Sequence, residues 1–159
     1  MLEATVDTLT WIATAGCALL AGTFFAFSSF VMKGLARLPP ERGIEAMQAI
    51  NVAALERGLM AVFFGTAVAC LLLAVATPWT WDTAGAGPRL VGALLLLAGG
   101  FVVTAAFNVP RNEALAALTP TSPEAADRWR DYVATWTAWN HVRTGACLAA
   151  ALLLARGAR

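Results

Sequence analysis

Long apolar runs limit what this chain can fold into more than any motif does. A helix that crosses a bilayer needs about 20 mostly apolar residues. Four segments have that character, at about residues 8–32, 53–76, 89–108 and 132–155. Each is too long for a buried strand, and none alternates with period two. The sequence therefore predicts an all-α fold. It is a four-transmembrane-helix bundle forming a single integral membrane domain over residues 1–159, with an amphipathic or extended helical segment in the cytoplasmic connections. Only 13% of the residues are charged, against about 25% in soluble domains, so the expected solvent is lipid. A net charge of +1 gives no basic surface for nucleic acid, and none is expected as a partner.

Two features near the N-terminus and in the cysteines need reading. Thr14-Ala15-Gly16-Cys17 has the outline of a lipoprotein cleavage site. No Lys or Arg precedes it, and the apolar run continues well past Cys17, so the segment is read as a retained membrane helix. Cys17, Cys70 and Cys147 stand alone in apolar runs without a CxxC pair. They are read as small buried hydrophobes.

The connections carry the turn signals. Pro39-Pro40 breaks the chain after the first run, with Pro40 suited to a helix start. Ile44, Met47 and Leu55 then recur near helical spacing, as in an amphipathic helix lying at the interface or running into the second span. Trp79 and Trp81 in the second connection fit an aromatic belt. Ser122-Pro123-Glu124 reads as a helix start with a capping serine, so the fourth helix is expected to begin near Pro123. Lys33, Arg37, Arg42 and Arg57 flank the first connection, and Arg111, Arg128 and Arg130 the third. Arg89, Arg156 and Arg159 lie on the other side. Positive charge favours the cytoplasm, so both termini are expected outside.

Polar residues are placed by counting depth at about 1.5 Å per residue. Asn140, His141 and Arg143 fall within the hydrocarbon layer. Ser28 and Ser29, Glu56, and Asn108 fall near the cytoplasmic ends of the first three spans. A charged residue in a span costs at least about 2.5 kcal/mol on insertion scales, and it generally faces the bundle with a partner. The expectation is a Glu56–Arg143 pair or a shared network, which could serve chemistry or simply hold two helices together. Trp136, Asn140, Arg143 and Cys147 share a narrow arc at helical spacing, as do Thr104 with Asn108, and Phe24 with Phe27 and Ser28. Together these could line a pocket with aromatic walls and amide donors. Metal is not indicated: His141 is the only histidine, and it would need Glu56 or amide oxygens as companions. By intrinsic pKa it is the best candidate base, although a histidine satisfied by a neighbour is an equal reading. Asparagines flanking Pro110 can satisfy freed backbone groups or donate to a ligand.

Several of these residues form a pattern that resembles the anthrone oxygenase-like family of small four-helix membrane proteins. It rests on Phe27-Ser28-Ser29-Phe30-Val31-Met32, Met47-Gln48-Ala49-Ile50-Asn51, Asn108-Val109-Pro110-Arg111-Asn112 and Trp136-Thr137-Ala138-Trp139-Asn140-His141-Val142-Arg143-Thr144. The resemblance implies an oxygenase that converts anthrones to anthraquinones. Its co-substrate would be molecular oxygen, with no cofactor predicted, and its substrate a small lipophilic aromatic entering from the lipid bilayer. His141 would act as base with Glu56 as rival, and Arg143 and Asn140 would stabilise the oxyanion. Asn51, Asn108 and Asn112, with Ser28, would position substrate oxygens, and Trp136, Trp139 and Phe27 would stack on the rings. The expected location is the bacterial inner membrane.

Two other functions compete. One is a non-catalytic membrane protein, a structural subunit or a binder of a small lipophile. The other is a small transporter, since compact exporters resemble four helices with a buried Glu–Arg pair. Ala18 with Gly22, and Gly145 with Ala149, have the small-xxx-small spacing of helix contacts, so a homo-oligomer is possible on this sequence.

Overall fold

The computed structural model describes residues 2–158, and every regular element in it is helical. Five helices follow in order. They are α1 (Leu2–Leu35), α2 (Pro40–Ala54), α3 (Arg57–Thr80), α4 (Ala86–Ala116) and α5 (Ala125–Gly157). Arg159, part of the charge bias above, lies outside the described residues. Three helices, α1, α3 and α4, are long and apolar enough to cross a membrane, which marks a membrane protein. The sequence predicts four such helices. The fourth, α5, falls short because Asn140, His141 and Arg143 interrupt its apolar half.

The outer surface fits lipid. Trp11, Leu19, Phe25, Phe64, Leu71, Val91, Val102, Leu148 and Leu152 are all exposed. The centre is a stripe on α5: Trp129, Tyr132, Trp136, Asn140, Arg143, Cys147, Ala150 and Leu154 are buried at steps of three and four residues. That spacing keeps one face of a helix turned inward. Cys147 meets Cys17 of α1 and Cys70 of α3 in one apolar core that extends to Val6 and Leu154, near both termini. Met32, Ile44, Met47, Leu115, Trp129, Tyr132 and Trp136 form a second core at the end capped by α2. The polar residues expected to fill that end instead form a thin layer between the two cores.

The helix boundaries correct several expectations. The first connection does not run straight into the second span. Proline opens α2 as predicted, but the chain breaks at Leu55 and Glu56, where Glu56 is extended (φ −68°, ψ 162°) ahead of α3. Ser122 does not cap α5: its Oγ is buried without a partner, and the helix begins at Ala125. Pro110 does not end α4, which continues to Ala116. A proline lacks the N–H and crowds the carbonyl four residues back. The widened π turn over Thr104–Asn108 absorbs that conflict, and another lies upstream at Leu96–Val102. There the Val109 N–H bonds to the Thr104 carbonyl, five residues back, and Arg111 Nη1 donates to the Phe107 carbonyl at 2.7 Å. A further widened turn, Phe27–Val31, interrupts α1.

Two contacts hold α2 against the bundle. Gln48 Nε2 donates to the Leu115 and Leu118 carbonyls at 2.9 and 3.0 Å, tying α2 to the last turn of α4 and the residues just past it. Gly43 lies so close to Trp129 of α5 that a Cβ there would sit 2.8 Å from the indole ring. At the opposite end, Arg89 donates to Thr83 Oγ1 at 2.6 Å and lies 3.7 Å from Asp7. Ala18, Gly22 and Gly145 are exposed, and a Cβ at either glycine would meet nothing within 4 Å. Their small-residue spacing therefore does not serve packing within this chain.

Candidate functional site

The polar layer is organised by Asn140, which is fully buried. Its Nδ2 donates to the Phe24 carbonyl at 2.7 Å and to Ser28 Oγ at 2.6 Å, both on α1. Its Oδ1 accepts from Arg143 Nη2 at 2.5 Å. Arg143 Nη1 reaches across to Thr104 Oγ1 of α4 at 3.2 Å. The guanidinium lies over the Phe24 ring at 4.3 Å and near the Trp136 ring at 5.2 Å, geometry in which a ring face attracts a cation. Arg143 is thus held by neutral groups from three helices.

The predicted Glu56–Arg143 pair does not form. Glu56 is exposed in the break between α2 and α3, and Arg143 has no carboxylate partner among the described residues. The reading as a transporter built on that pair loses its basis.

Beside Arg143 lies a cavity of about 130 Å³. Phe24, Phe27, Met47, Met60, Phe63 and Trp136 wall it, and Asn51, Thr104, Asn112 and Arg143 supply its polar atoms. It opens where α2 ends and α3 begins, at Ala54, Leu55 and Leu59. Phe27 and Trp136 are tilted against each other with centroids 5.9 Å apart. Asn112 fixes that wall, because its Oδ1 accepts from Trp136 Nε1 at 2.8 Å and from the Tyr132 hydroxyl at 2.9 Å. Asn51 lies close to Tyr132, yet its Nδ2 has no hydrogen-bond partner, and neither has Arg143 Nε.

Of the residues singled out in sequence, the structure brings Arg143, Asn51, Asn112, Trp136 and Phe27 to this cavity. Asn140 and Ser28 stand directly behind it. Asn108 is buried below and donates Nδ2 to the Trp136 carbonyl at 3.3 Å. That bond leaves its Oδ1 unpaired and gives it a role in joining α4 to α5. Trp139 stacks on Phe107 with centroids 3.6 Å apart, so its ring is occupied by the protein and does not line the cavity. His141 is exposed on the other side of α5, in an open groove with Ser28, Ser29, Lys33 and Thr137. Side chains two positions apart on a helix point about 200° apart, nearly opposite. That rotation carries His141 away from the cavity that Arg143 faces, and neither it nor Glu56 is placed to act as base there.

Tyr132, Met47, Met60 and Phe63 were not singled out as site residues. Tyr132 was legible as the next inward position of the Trp136 stripe. Met47 was marked by apolar spacing and by its place in the Met47–Asn51 segment, and Met60 by apolar spacing alone. A larger charged cleft lies between the end of α4 and the start of α5, lined by Arg111, Glu124, Arg128 and Asp131. Tyr132 is the one aromatic residue among its described lining, which is otherwise charged, aliphatic or hydroxylic.

Comparison with known proteins adds one match. The model of the family described as Anthrone oxygenase covers residues 53–153, a range that holds α3, α4 and most of α5. No curated protein and no solved structure matches the chain.

Proposed function

The chain belongs to the anthrone oxygenase family, and from that premise we propose that it is a membrane-embedded oxygenase acting on a polycyclic phenolic or quinone-precursor substrate. In such a reaction a ring CH₂ and O₂ become a ring C=O and water. The substrate reacts with oxygen from its electron-rich deprotonated form, so a site must favour negative charge on the ring oxygen. The observation that carries the reading is Arg143, 5% exposed, lining an aromatic-walled cavity among the apolar helices. A preorganised cation in a water-poor site stabilises developing negative charge strongly. Phe27 and Trp136 offer faces for a flat substrate, and Asn51 adds an amide to the lining.

On the same reading α5 is a fourth crossing. Its half from Val142 onward exposes Val142, Leu148 and Leu152 to lipid, and the charged residues Asp127 to Asp131 lie beyond the apolar length. The two long connections face the cytoplasm of a bacterial inner membrane, and oxygen and substrate enter from the bilayer. No resident cofactor is proposed.

The test is oxygen uptake by purified protein with a panel of anthrones and hydroquinones. Uptake with formation of the matching quinone is expected. Arg143→Ala should lower kcat/KM by at least about a hundredfold, the usual effect of removing one oxyanion donor. Tight binding of the panel without oxygen consumption would favour the lipophile-binding alternative, for which the open mouth of the cavity is equally suited.

A further inference from the structure

Among the described residues, Arg143 is a buried cation with no anion beside it. It touches Asn140, Thr104 and the faces of Phe24 and Trp136, all neutral. The titratable groups nearest to it are Cys147 and Tyr132 on its own helix. A thiol and a phenol are ordinarily neutral near pH 7. Across the cavity, α1, α2, α3 and α4 contribute no ionisable side chain, and Arg143 is the only one in the lining. A buried charge is normally compensated by a counter-ion or a full set of hydrogen bonds. Here Nε has no partner, and the charge is left to two neutral hydrogen bonds and two ring faces. An uncompensated positive charge on one small aromatic-walled cavity describes a receptor for an oxyanion.

Size narrows the ligand. At about 130 Å³ the cavity is close to the engineered apolar cavity of about 150 Å³ that takes up one benzene. One ring fits inside. Further rings must extend through the mouth, where Leu55 is 72% exposed.

We propose that the cavity binds phenolic ligands as their oxyanions, with one hydroxylated ring seated against Arg143 and Asn51 and the remainder lying in the mouth between α2 and α3. This rests on the reading of the cavity as the substrate site. With no base in the lining, the ligand supplies its own acidity. The phenolic O–H bond breaks, the electron pair stays on the oxygen beside the guanidinium, and the proton leaves to water at the mouth. Substrates are therefore limited to phenols and enols acidic enough to ionise without help, such as those bearing a conjugated carbonyl.

A hydroxyanthraquinone dye tests this, because its absorption moves to longer wavelength when the phenol ionises and it has no CH₂ to oxidise. Titrated against the full-length protein in nanodiscs, the bound dye should show its phenolate band at least about one pH unit below its free midpoint, the lower end of the shift that an adjacent opposite charge produces. In Arg143→Met protein that shift should vanish, and in Arg143→Lys it should be partly kept. Should the methionine variant fail to fold, wild-type protein still decides. At a pH above the dye's free midpoint its methyl ether, which cannot ionise, should bind at least about tenfold more weakly, as the same shift requires. Equal affinity for the two, a bound dye that stays neutral, no binding of either, or an undiminished shift in Arg143→Met would overturn the proposal. Oxygen uptake is a separate readout. A dye shift without turnover of any substrate defeats the oxygenase reading alone, and turnover without a dye shift defeats this proposal alone.

Discussion

Asn140 and Arg143, one turn apart on α5, share a 2.5 Å hydrogen bond that holds the guanidinium over the Phe24 ring. The same asparagine spends both amide hydrogens on α1. One side chain thus fixes the cation and fastens its helix to the neighbour. Replacing it by leucine should leave the Ser28 hydroxyl, the Phe24 carbonyl and Arg143 short of partners. A loss of about 1–3 kcal/mol for each group left unsatisfied is expected. Thermal unfolding in detergent should show a lowered midpoint together with loss of oxygen uptake.

Asn140→Asp makes a sharper case. The carboxylate keeps the shape and gives Arg143 the counter-ion it lacks. Anionic phenols should then bind at least about tenfold more weakly, since an opposite charge at contact is worth one or more pH units to an ionising group. Stability should fall less than in Asn140→Leu. Unchanged affinity for a phenolate, read by dye titration, would show that Arg143 does not meet the ligand's charge.

His141→Ala and Glu56→Gln should be nearly silent. Both residues are exposed and away from the cavity. Surface substitutions usually change energies by less than about 0.5 kcal/mol, or about twofold in kcat/KM. A hundredfold loss of oxygen uptake in His141→Ala would return the histidine to the role of base and displace the site described above.

Asn112→Leu should loosen the aromatic wall. It leaves the Tyr132 hydroxyl and the Trp136 indole N–H without their shared acceptor. Each buried orphan costs about 1–3 kcal/mol. Trp136 should gain mobility, visible as altered tryptophan fluorescence anisotropy, and KM should rise more than kcat falls. Tyr132→Phe removes only one of the two donors and should cost less than the asparagine change.

Gly43→Val should lift α2. Its Cβ would lie 2.8 Å from the Trp129 ring, and over-packing of this kind costs about 1–3 kcal/mol. Since α2 brings Met47 and Asn51 to the cavity, ligand affinity should fall while α1, α3 and α4 keep their helicity. Circular dichroism with dye binding separates the two effects.

Much of this architecture was legible in the chain itself. Apolar length announces a helix in lipid, and a three-and-four spacing announces its inward face. That is why the Trp136, Asn140, Arg143 and Cys147 stripe could be read before any coordinates. What spacing does not reveal is which neighbour a side chain meets. Glu56 lay at a plausible depth for Arg143, but the chain breaks at Leu55 and turns the carboxylate outward. Trp139 had the right chemistry for stacking, but Phe107 of α4 already covers its face. Pro110 carried a strong stop signal, yet backbone bonding five residues back at Val109 let the helix pass. The Trp139 outcome depends on a contact far apart in sequence, and the other two on local backbone geometry, neither of which apolar periodicity encodes.

The widened turn at Phe27–Val31 has a consequence for how α1 is built. Such a turn accommodates one residue more than an ordinary helical turn. Everything beyond it is rotated by roughly 100° relative to an unbroken helix. The two ends of α1 therefore keep separate registers. One is keyed to the cysteine core through Cys17, and the other to Met32 and the aromatic core under α2. Phe24 and Ser28, which meet Asn140, lie at the joint, so the polar layer occupies the place where the helix changes phase.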